Sequence, residues 1–250
     1  IHTFVVAIGF NEAVAARSFE YALKTYEAYR HQGGASAYDR QSITPHAPYS
    51  VSKKLFSLIS DFEERSIISI HNQESAEEDT FYKDKTGAIN DLLKGLGIDT
   101  ATFEPSGISS LQTYTQWLGD AHPVIFVHDS FTAREDVEAA MQRFPKSYFC
   151  LCPNANLYIE NTLPDVNMFM EAGATICIGT DSLASNDKLC IYSELQTLHR
   201  HFNIAWERLL QWACYNGALA LQMDEVAGSF DPGKRPGVVN IHNDTVHRVI

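Results

Sequence analysis

The stretch SIHNQESAEE, residues 69–78, brings a run of small and β-branched residues to an end on a histidine, and a glutamate follows three positions later. A short apolar run closed by polar residues reads as a buried strand with chemistry at its C-terminal end. The same pattern recurs along the chain. TFVVAIGF (3–10) precedes the helical AARSFEYALKTYEAYR (15–30), and SITPHAPYS (42–50) precedes KKLFSLISDFEERS (53–66). IISIH (67–71) precedes a long, partly helical excursion, and PVIFVHDS (123–130) precedes AREDVEAAMQRF (133–144). SYFCLCPNAN (147–156) precedes LPDVNMFMEAG (163–173), and ATICIGTDS (174–182) precedes LCIYSELQTLHRHF (189–202). Strand and helix alternate six times, which predicts an α/β fold of parallel βα units. Residues 79–120 read as an insertion between two of them. GSFDPGKRPGVVNI (228–241) turns at Pro-Gly and ends strand-like.

A chain of 250 residues with 45% hydrophobic content suits one large globular core. A formal net charge of −12 repels polyanions, which argues against nucleic acid and anionic membrane surfaces as partners. No apolar run approaches the ~20 residues of a membrane span. Five cysteines at irregular spacing do not make a disulfide framework, so they are expected reduced, in the cytoplasm. Cys150 and Cys152 lie two apart on one strand and share a face. Two buried apolar thiols is the favoured reading over a metal role.

His46, His71, His128, Asn154 and Asp181 all fall at the C-terminal end of an apolar run or just beyond it. In a parallel barrel those ends converge on one face, where active sites form, and an open doubly wound sheet also places ligands there. No G-x-G-x-x-G or G-x-x-x-x-G-K-[ST] loop is present, which disfavours dinucleotide and P-loop chemistry. Imidazoles and a carboxylate from separate strands make a site for a divalent metal, Zn²⁺ or Fe²⁺, that activates water. Glu74 is placed to move protons beside it. Each strand-end histidine alone would read as structural, and Asp181 in GTDS would serve equally as a helix cap. The coincidence of four such residues at the same strand ends favours the functional reading. His199 and His201 form an H-x-H on a helical run, where they point about 200° apart and cannot share an ion.

Taken together, TPHAPYS (44–50), IHNQES (70–75), VHDS (127–130), CPNAN (152–156) and GTDSLASN (179–186) resemble the metal-dependent amidohydrolase superfamily, in its aminohydrolase and chlorohydrolase branch. The resemblance implies a (β/α)8 TIM barrel over residues 1–226 with one catalytic metal. It also implies that residues 227–250 are C-terminal strands of a small β-sandwich. It makes His71 and Asp181 metal ligands, with Asp181 also the base for the attacking water. Glu74 becomes the proton shuttle, and His128 the residue that orients and polarises the attacking oxygen. His46, Asn154 and Asn156 become substrate contacts. The implied activity is a deaminase that replaces an exocyclic amine on a heterocycle, such as a purine or nucleoside derivative, by metal-activated hydroxide. The alternatives are a dechlorinating hydrolase and a non-catalytic homologue. The branch carries an H-x-H on its first barrel strand, and no strand here has one. The six strands are therefore expected to correspond to strands three to eight, and the chain to be an internal fragment that by itself binds metal weakly and is inactive. TFVVAIGF and ATICIGT should then be open edges, which invites a homo-oligomer.

Overall fold

The computed structural model describes residues 1–32, 40–62, 65–242 and 245–249. Six parallel strands run His2–Ala7 (β1), Arg40–Pro45 (β2), Ile68–Asn72 (β3), Val124–His128 (β4), Ser147–Leu151 (β5) and Ile176–Ile178 (β6). An antiparallel hairpin follows, Val239–His242 (β7) with Thr245–Arg248 (β8), and its strand residues are exposed. The helices are Ala15–Gln32 (α1), Lys53–Phe62 (α2), Ala76–Asp84 (α3), Gly87–Gly95 (α4), Ser110–Tyr114 (α5), Arg134–Arg143 (α6), Pro153–Glu160 (α7), Val166–Glu171 (α8), Ile191–Phe202 (α9), Trp206–Leu210 (α10) and Gly217–Ala220 (α11). The expected helix over 53–66 is α2. Glu63 and Glu64 lie outside the described residues.

Each strand has two faces because side chains alternate. The outward residues Val5, Ile43, Ile70, Phe126, Phe149 and Ile176 are buried beneath the helices in the main core. The inward residues Ile67, Ile125, Tyr148 and Cys177 form a second cluster with Phe4, Val127 and Cys150 packed on it. Strands buried on both faces are what continuous apolar runs encode.

Backbone ladders join β1 to β2, and β3 through β6 in order. Between β2 and β3 the seam is made differently. Ser69 N donates to Thr44 Oγ1 at 2.7 Å, Thr44 Oγ1 donates to Ser69 O, and Ser42 Oγ donates to Ile67 O at 2.7 Å. Only at the top does a main-chain bond appear, His71 N to His46 O at 3.0 Å. Inward-facing hydroxyls thus stand in for a ladder and satisfy backbone groups that burial would otherwise leave unpaired. Among the described residues, β1 pairs only with β2 and β6 only with β5. No described helix is long and apolar enough to cross a membrane.

Candidate metal centre

The C-terminal ends of β3, β4 and β6 bring His71, His128 and Asp181 together. One ligand atom from each lies within 4.8 Å of the others. Local sequence explains how. Gln73, His128, Asp129 and Asp181 all have positive φ, at 41°, 78°, 55° and 57°. Asp and His tolerate that region better than most residues, and strained backbone of this kind concentrates at functional sites. Asp181 caps no helix. The next one is α9, whose capping residue is Cys190.

Both imidazoles are oriented through Nδ1. His71 Nδ1 donates to His46 O at 2.8 Å, and His128 Nδ1 donates to Asn156 Oδ1 at 2.9 Å. A carbonyl or amide oxygen can only accept, so the proton sits on Nδ1 and the Nε2 lone pair is left for a ligand. Asn156 Nδ2 returns a bond to His128 O at 3.3 Å, which fixes which way the amide points. His128 is fully buried, and its Nε2 has no hydrogen-bond partner. Glu74 Oε1 stands 3.5 Å from that nitrogen, too far for a good hydrogen bond. An imidazole nitrogen of His71 and a carboxylate oxygen of Asp181 are donors a divalent cation takes, and the orphaned buried Nε2 of His128 faces the same point, so these residues fit one.

His46 joins the row. Its ring lies 5.0 Å from His71, whose ring is 5.3 Å from His128. Burial and the neighbouring His71 push the His46 pKa down to about 4, and its Nδ1 is 2.8 Å from Ser50 Oγ. Both asparagines expected to contact substrate have protein partners. Asn156 is fully buried with its amide engaged by His128. Asn154 spends its amide on Ser193, Glu194 and Thr197 of α9. His199 bonds Ile204 O and packs on Trp206, remote in role from the His71 cluster.

Several residues that organise the site lack an obvious signal in the sequence. Asn72 donates to Asp129 Oδ1 at 2.8 Å and accepts from Tyr114 OH at 2.7 Å, all buried. Gln73 N donates to Glu78 Oε1 at 3.0 Å, and Gln73 Nε2 to Asp136 Oδ2 at 2.8 Å. Ser109 Oγ donates to Asp136 Oδ1 at 2.6 Å. Burial raises Glu78 to about 8 and holds Asp129 well above the carboxylate range, against the Asn72 bond. This network straps the 79–120 insertion onto the ends of β3 and β4. Glu104–Ile108 of that insertion is exposed, while Ser109–Tyr114 belongs largely to the strap. On the other side, the buried Glu194 accepts from Asn154 N at 2.8 Å and from Asn186 Nδ2 at 2.8 Å. It was visible in principle, since it lies four residues from Leu198 on the buried face of α9.

The sequence model of the amidohydrolase family matches residues 7–245. An adenosine deaminase of Helicobacter pylori is 25% identical over 202 residues, 78% of this chain and 48% of that protein. The crystal structure of Helicobacter pylori aminofutalosine deaminase superposes with a TM-score of 0.82 at 20% identity, covering 94% of this chain and 58% of that one. An atrazine chlorohydrolase from Arthrobacter aurescens, complexed with zinc, superposes with a TM-score of 0.70 at 16% identity, covering 95% and 52%. The chain spans about half the length of the curated relatives it matches.

Proposed function

This chain belongs to the amidohydrolase family, and from that premise we propose that the protein is a metal-dependent aminohydrolase that removes an exocyclic amine from a heterocycle such as a purine or nucleoside derivative. The observation that carries the reading is the convergence of His71, His128 and Asp181, with Glu74 at 3.5 Å from His128. His71 and Asp181 would hold the metal. When bound, a divalent cation, zinc by its fit to imidazole and carboxylate, supplies Lewis acidity and a water of lowered pKa. Asp181 takes the proton of the attacking water. Glu74 gives a proton to the ring nitrogen next to the carbon under attack, so that electrons flow into the ring and then expel ammonia. His128, locked by Asn156 with its proton on Nδ1, presents the Nε2 lone pair as an acceptor for an O–H of the attacking water. His46 stays neutral at physiological pH and offers the substrate an uncharged wall. Asn154 and Asn156 act by positioning neighbours rather than by touching substrate.

On this reading the six parallel strands are strands three to eight of a (β/α)8 barrel over residues 1–226. The exposed β7–β8 hairpin is part of a small sandwich over residues 227–250. Five unpaired cysteines support a reducing, cytoplasmic compartment. The test is ammonia release by the full-length, zinc-loaded protein across adenosine, its 5′-substituted derivatives, guanine and aminated pterins. Turnover of at least one of these supports the proposal. Chloride release from chlorinated analogues with no ammonia from any amine overturns it.

A further inference from the structure

Beneath the metal centre lies a group of thiols that this chemistry does not use. The strand register sets His71, Val127, Cys150 and Cys177 in one inward-facing row across β3 to β6. Cys152 follows the last residue of β5 and precedes α7. A Cβ on Gly179 would stand 2.9 Å from Cys150 Sγ and 3.0 Å from Cys152 Sγ. The absence of a side chain there lets both sulphurs close on one point. Cys152 Sγ also lies 4.0 Å from Cys150 O, folded back over its neighbour. Cys150 is partly exposed, whereas Cys152 and Cys177 are buried. Cys177 sits in the apolar cluster with Ile67, Ile125 and Tyr148.

We propose that Cys150 is a peroxide-reactive thiol and that Cys152 resolves it as a reversible intramolecular disulfide. The proposal stands independently of the deaminase reading. Cys150 sulphur attacks a hydroperoxide, an S–O bond forms as the O–O bond breaks, and water or alcohol leaves with the thiol proton. Cys152 sulphur then displaces the sulfenic oxygen, which departs as water. The peroxide is reduced by two electrons and the thiol pair is oxidised by two. With only Leu151 between them, an extended chain would set the two Cα atoms about 6.6 Å apart, near the upper end of the disulfide range. A bridge so placed is strained and therefore easily reduced again. It would also reach the metal centre. Cys152 caps α7, and its carbonyl accepts Asn156 N at 2.9 Å, so closing the bridge pulls on the residue that orients His128.

The full-length protein is exposed to stoichiometric hydrogen peroxide, alkylated and digested without reductant. No Lys or Arg lies between Lys146 and Lys188, so trypsin leaves Cys150, Cys152 and Cys177 in one peptide. Cleavage at Glu160 and Glu171 then separates the first two from the third. The expected result is loss of two hydrogens within the Cys150–Cys152 fragment, on the order of tenfold faster than modification of the exposed Cys214, and reversal by dithiothreitol. Cys177→Ser should keep the bridge. Cys152→Ser should leave a Cys150 sulfenic acid that dimedone captures. A bridge to Cys177, an unmodified Cys150, or oxidation no faster than at Cys214 overturns the proposal.

Discussion

The two sides of the metal centre are built to different standards. On the β3–β4 side each imidazole has its Nδ1 anchored, His128 is fully buried, and a strap of buried amides and carboxylates ties the strand ends to the insertion. On the β6 side the strand is three residues long, and Asp181 stands on the loop beyond it, partly exposed. Its carboxylate accepts from Ser185 Oγ. The loop is held to the body through Asn186, which donates to Thr180 O at 2.7 Å and to Glu194 at 2.8 Å. The histidines form a template anchored behind their rings, and the carboxylate stands on a loop arm tied by side chains. That division would suit the proposed role of Asp181, to hold a metal and accept a proton.

The largest expected effect is on chemistry rather than on the template. In the full-length enzyme, Glu74→Gln should lower kcat by about 10²–10⁴-fold while zinc content, measured by atomic absorption, stays at the wild-type level. Loss of zinc would instead make Glu74 part of the template. Asn156→Leu probes the rigid side by leaving His128 Nδ1 without its acceptor. It should lower activity about 10–100-fold, read as the rate of ammonia release. Glu194→Gln probes the arm and should cost less than Asn156→Leu in the same assay. The reverse order would break the contrast between the two sides.

Smaller effects test the scaffold. Thr44→Val removes the hydroxyl that pairs with Ser69 N at the β2–β3 seam. It should destabilise the fold by about 1–3 kcal/mol in urea unfolding, the cost of a buried unpaired donor. Glu78 gives a pH signature. Its folded pKa is about 8 against an ordinary 4.5, so between those values the folded protein holds a proton that the unfolded chain has released. Stability should therefore fall as pH rises through that window, by at most about 1.4 kcal/mol per pH unit from this group. Glu78→Gln should flatten the slope, and an unchanged slope would remove Glu78 from the account.

What the sequence discloses and what it conceals follow from the same physics. Apolar runs such as PVIFVHDS announce β4 because burial on both faces leaves no alternation to misread. His71, His128 and Asp181 stand out because polar residues closing such runs are costly unless they do something. The β2–β3 seam is hidden, since Ser42 and Thr44 look like ordinary strand residues until their hydroxyls are seen facing Ile67 and Ser69. Asn156 illustrates a second blind spot. Its position after β5 points to the pocket, yet the first turn of α7 rotates its side chain inward onto His128. The strap from Gln73 to Asp136 spans 63 positions, a separation no local pattern reports.

On the proposed reading, His71 and Asp181 hold one divalent cation in front of His128. A crystal structure of the full-length, zinc-loaded protein, with anomalous data at the zinc edge, tests it most directly. The expected result is an anomalous peak about 2.0–2.2 Å from His71 Nε2 and from an Asp181 carboxylate oxygen. A zinc-bearing protein whose peak lies away from both residues would contradict it.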